Sequence, residues 1–98
     1  MKTREWTEYL DDGFILTVRL TTESGKVTDF AVVLIRGDEM ITRWDCAHGT
    51  VHRDIYGRHS ALIEKDFRVS LSKAEGFIYA LRDLKENFRR YFAFFDTR

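Results

Sequence analysis

The chain has 98 residues, zero formal net charge, one cysteine and no proline. That length supports a single core rather than two, and an apolar share of 44% with 14% aromatics excludes a disordered chain. Neutrality excludes the broadly basic footprint of a general nucleic-acid binder and leaves only a local cationic site.

Residues 1–98 read as one domain, because no linker and no internal repeat interrupts them. The first half alternates strand-like runs with turn signals: "EWTEYL", Asp11-Asp12-Gly13, "FILTVRL", Glu23-Ser24-Gly25, "VTDFAVVLIR", Gly37-Asp38 and "EMITRWD". This predicts an antiparallel meander of four strands. In the second run Phe14, Leu16, Val18 and Leu20 share one face, as a sheet with one covered side requires. In the third, Ala31, Val33 and Ile35 make the other face apolar as well, so this strand is expected at the centre, covered in part on both sides. In the fourth, Ile41, Arg43 and Asp45 alternate against Met40, Thr42 and Trp44, with Trp44 turned to the core.

Residues 46–70 are expected as a loop plus "SALIEKDFRV", a short fifth strand or extended arm. From Leu71 the period changes. Phe77, Leu81, Leu84, Phe88, Tyr91 and Phe95 recur at spacings of three and four, the stripe of an amphipathic helix reaching about Phe95. Ser72 followed by Glu75 forms a capping box that satisfies free N–H groups, so Ser72 is the expected N-cap. The expected fold is α+β: an antiparallel sheet of four or five strands, then one long C-terminal helix packed on one face, in the order ββββ(β)α. Phe92 and Phe94 fall off the helical stripe, and Trp6 sits on an edge strand. They are read either as a partner surface, with a homodimer through the helix end, or as chance exposure near a terminus.

All three histidines lie in "RWDCAHGTVHRDIYGRH", Arg43 to His59. Arg43 and Asp45 leave the fourth strand side by side, and Gly49 permits a positive φ that folds the loop back. His48 and His52 are therefore expected over the strand end. Three chemistries suit the set. In metal-free RNA cleavage, His48 and His52 act as general base and acid while Arg43 or Arg53 stabilises the phosphorane and Asp45 orients an imidazole. Arg53, Tyr56 and His59 are the expected substrate contacts. Zinc ligation could draw on Asp45, Cys46 and the histidines, but the spacing lacks a CxxC and no metal or other cofactor is expected. A Cys46 nucleophile beside His48 is the third, and a small buried cysteine the simpler account of that residue. Against all three stands a polar loop whose histidines bond backbone carbonyls.

The block "RWD" and "HGTVHRD", carried by Arg43, Asp45, His48, Gly49, His52 and Asp54, precedes a helix "FIYALRDLKENFRRY" that contains Asp83. In layout and in this block the chain resembles a small prokaryotic family of domains of unknown function related to the TumE-like toxins of toxin–antitoxin pairs. It departs from the toxins at Asp54, where a further histidine is expected. The resemblance implies a growth-inhibiting cytoplasmic protein whose partner is a helix-turn-helix antitoxin. A cytoplasmic setting also follows from the lone cysteine and from a first stretch, "MKTREWTEYLDDG", without the apolar core of a signal peptide. An RNA substrate is inferred from the two histidines and the arginine. The alternative function is a non-catalytic protein-interaction module, and no membrane contact is expected, since no run approaches the roughly 20 apolar residues of a span.

Overall fold

A computed structural model describes residues 1–96. Its order is β1 (Lys2–Tyr9), β2 (Phe14–Glu23), β3 (Lys26–Arg36), β4 (Glu39–Asp45), β5 (His52–Tyr56), β6 (Leu62–Phe67) and α1 (Lys73–Asp96). All six strands form one antiparallel sheet in sequence order. The class is the expected α+β, but the sheet has six strands rather than four or five. The segment expected as a loop with one arm contributes two, β5 and β6. Among the described residues, no helix is long and apolar enough to cross a membrane.

Local chemistry accounts for the joints. Glu23 pairs with Lys26 across a two-residue connection in which Ser24 and Gly25 both take positive φ, 52° and 79°, the turn whose twist matches that of the flanking strands. At the helix start both arms of the capping box close: Ser72 Oγ accepts from the Glu75 N–H at 3.1 Å, and Glu75 Oε1 accepts from the Ser72 N–H at 2.9 Å. The Ser72 backbone bond holds the Glu75 carboxyl below its usual range.

The helix covers one sheet face. There Phe14, Leu16 and Val18 of β2, Phe30, Val32 and Leu34 of β3, and Trp44 of β4 meet Ala80, Leu84, Tyr91 and Phe95. A tight approach comes at Gly76, where a Cβ would lie 2.7 and 2.8 Å from the two Val51 methyls. Two expectations change here. Ile41 does not share a face with Arg43 and Asp45, because a register shift in the β3–β4 pairing, after Leu34, takes it out of alternation and puts it in the core with Trp44. Phe92 is not a surplus ring either. It packs edge-on against Phe14 at 5.3 Å, while Arg36 lies over both rings. Phe94 is also packed in part against the core, and Trp6 meets Phe77 edge-on.

Candidate functional site

The opposite sheet face carries the polar chemistry. Cross-strand pairing fixes it: Arg43 stands opposite Asp54 and Asp45 opposite His52, while on the next strand Lys65 faces Asp54 and Phe67 faces His52. Directly opposed residues share a face, so Arg43, Asp45, His52, Asp54 and Lys65 converge from three strands. Tyr56, two residues beyond Asp54, joins them through its hydroxyl, 3.4 Å from Asp54 Oδ2.

Contacts in this cluster are short. Arg43 Nε donates to Asp45 Oδ2 at 2.5 Å. Asp45 Oδ1 accepts from the Ala47 N–H at 3.2 Å and lies 2.8 Å from His52 Nε2. On its other side His52 Nδ1 is 3.1 Å from the Thr50 carbonyl oxygen. A carbonyl only accepts, so Nδ1 carries the hydrogen. Lys65 Nζ lies 3.1 Å from Asp54 Oδ1, and His52 Nε2 is 3.8 Å from Asp54 Oδ2. Asp45, His52 and Asp54 are only 5%, 4% and 6% exposed. Burying two carboxylates costs several kcal/mol each, ~5 kcal/mol in order of magnitude, unless cations compensate. Arg43 and Lys65, each about a third exposed, supply that compensation from the rim. Burial, with Asp54 beside it, pushes the Tyr56 phenol up, so it stays neutral and keeps its O–H.

Arg43 also lines a groove of about 410 Å³ on this face, together with Glu5, Thr7, Thr17, Arg19 and Val33. Its size falls within the ~300–1,000 Å³ of small-ligand sites. Arg19 is tied to Asp29 at 3.0 Å, so the groove presents two guanidinium groups, each held by a carboxylate.

The sequence-predicted residues divide. Arg43, Asp45, His52 and Tyr56 come together, and Asp45 does hold an imidazole. His48 does not join them. It sits exposed in the turn Ala47–Gly49 with φ 65°, and among the described residues it makes no hydrogen bond or ion pair. His52 is on β5 rather than in the loop, so the two imidazoles are not a pair over the strand end. Arg53 is turned to the helix face by strand alternation, where it donates to the Tyr91 hydroxyl at 2.9 Å and pairs with Asp66. His59 is exposed in a second turn, Arg58–Ser60, with φ 62°. Cys46 is buried, its thiol pushed up by that burial and set 3.5 Å from Asp29, which favours the protonated thiol over the nucleophilic thiolate.

Asp54 as a site member, and Lys65, were missed as partners. The signal for Asp54 was present in "HRDIY", where His52, Asp54 and Tyr56 recur at period two. Lys65 carried no such mark, because its place depends on how β6 pairs.

Asp83, singled out on the helix, belongs to the other face. Its carboxylate accepts from Trp44 Nε1 at 2.9 Å, the Tyr91 hydroxyl at 2.6 Å and Asn87 Nδ2 at 2.9 Å. It ties helix to sheet behind the cluster.

No curated protein and no solved structure matches this chain. A family model described as "Domain of unknown function (DUF7718)" matches residues 1–98, and the protein belongs to that family.

Proposed function

We propose that the protein acts on RNA as the cytoplasmic toxin half of a toxin–antitoxin pair, with the sheet face opposite the helix as its working surface. The observation that carries this reading is the convergence of Arg43, Asp45, His52 and Tyr56 at the edge of the Arg19–Arg43 groove. In it, Arg43 is the phosphate contact: its guanidinium reaches the rim and is oriented by Asp45. His52, too buried to touch RNA, is a positioning residue that holds Asp45. Tyr56 offers a neutral O–H to a phosphoryl oxygen.

The test is induced expression in a bacterial host, together with cleavage and binding of a mixed-sequence single-stranded RNA by the purified chain. Wild type should arrest growth and cleave RNA, and Arg43→Ala should lower both RNA binding and cleavage about 10-fold or more, as expected for a lost charge-assisted bond. A wild-type protein without effect on growth or RNA, or an Arg43→Ala variant equal to it, refutes the reading.

One observation favours an interaction module instead. β6 is an open sheet edge on which Leu62, Ile63 and Phe67 are 50%, 41% and 55% exposed. An antitoxin strand or helix docked there would give this protein a partner without chemistry of its own. Loss of a co-purifying assembly on Ile63→Lys, with RNA untouched by wild type, selects that reading.

A further inference from the structure

We propose that Asp45, His52 and Asp54 bind one divalent first-row transition cation of the zinc or manganese class. The inference deepens the RNA reading by naming a cofactor for its site, but it stands on the geometry of the cluster.

Three observations carry it. First, the ligand atoms of the three side chains all lie within 4.8 Å of one another, and all three residues are buried. A cation about 2.1 Å from each ligand requires them about 3.0–3.4 Å apart, so His52–Asp45, at 2.8 Å, would open and His52–Asp54, at 3.8 Å, would close by a few tenths of an ångström each on binding. Second, the imidazole is set as a metal ligand is set. Its Nδ1–H is committed to the Thr50 carbonyl, the outer contact that fixes the tautomer and orients a ligating histidine. Nε2 then faces the Asp45 carboxylate at 2.8 Å, so that either a proton or a cation must lie between the two. Third, Asp54 Oδ1 is buried without a hydrogen bond, its neighbour being the Lys65 ammonium.

Arg43 and Lys65 neutralise the carboxylates from the rim, where their long side chains reach solvent. An entering dication takes over that compensation and frees both heads, Arg43 toward the groove. One imidazole and two carboxylates select zinc or manganese over magnesium, which favours an all-oxygen shell.

The experiment is calorimetric titration of the full chain with Zn²⁺ and Mn²⁺, with Mg²⁺ for comparison and no RNA present, so that its outcome is independent of catalysis. One equivalent of Zn²⁺ or Mn²⁺ should bind and Mg²⁺ should bind more weakly. His52→Gln and Asp54→Asn should each weaken binding at least about 10-fold, while a His48→Ala/His59→Ala variant should bind as wild type does. Absence of saturable binding, binding unchanged in both cluster variants, or binding lost with the exposed histidines overturns the proposal. If the cluster variants do not fold, the ¹⁵N resonances of His52 in the wild type decide. A shift of Nε2 on addition of one equivalent supports the site, and an Nε2 that stays protonated overturns it, because a proton then fills the gap.

Discussion

Gly76→Ala tests the contact that seats the histidine strand. Helix α1 packs tightly at this position, over Val51, whose neighbours Thr50 and His52 supply the carbonyl and the imidazole of the cluster. Two terms oppose each other. Alanine is the better helix former by about 1 kcal/mol in a helix interior, and by less in a first turn. Its Cβ would lie 2.7 and 2.8 Å from the Val51 methyls and 3.3 Å from Phe30 Cζ. Val51 is fully buried and branched at Cβ, so rotation that removes one methyl brings the other into the gap. The helix must therefore move, and overpacking of this kind costs about 1–3 kcal/mol. The clash wins by about 0.5–2.5 kcal/mol, which at this chain length lowers Tm by about 2–12 °C. Urea and thermal unfolding of Gly76→Ala, alone and with Val51→Ala, measure it. With both methyls gone the same substitution should become neutral or stabilising by up to about 1 kcal/mol. A single variant as stable as wild type, or one whose penalty persists beside Val51→Ala, refutes the reasoning.

Asp83→Ala should destabilise by about 1–3 kcal/mol in chemical unfolding, because it strips the acceptor from the buried Trp44 N–H and from the Tyr91 hydroxyl; a loss below about 0.5 kcal/mol would show that water replaces the carboxylate. Tyr91 should ionise at about 12, raised from 10.0 by burial and then by Asp83. The sign follows from the raised value: its contribution to stability is complete below pH 10.0 and is lost as pH rises through about 12. Alkaline titration of tyrosinate absorbance, compared with Tyr91→Phe, checks this. A Tyr91 that titrates at the ordinary 10.0 counts against the network.

Particular residues show how much was legible in advance. The alternation of Phe14, Leu16 and Val18, the stripe through Leu84, Tyr91 and Phe95, and the Ser72/Glu75 cap all have the places their spacing implies. Arg43 beside Asp45 also follows from period two along one strand. The meeting of His52 with Asp45 was anticipated, but from a folded-back loop rather than from a paired strand. His48 was misplaced for the same reason: a five-residue strand flanked by two turns with left-handed histidines reads as a polar loop.

What the sequence determined is thus what repeats locally: strand faces at period two, a helix stripe at three and four, and a capping pair three residues apart. Tertiary structure decided everything that depends on pairing between distant segments. The β4–β5 register set His52 against Asp45, and β6 delivered Lys65 to Asp54. The irregularity after Leu34 moved Ile41 to the core, and the glycine at position 76 let the helix settle on Val51. The physical reason is range. Backbone geometry dictates which neighbours along one element share a face, whereas the alignment of two elements is settled by the packing and charge compensation of the whole sheet.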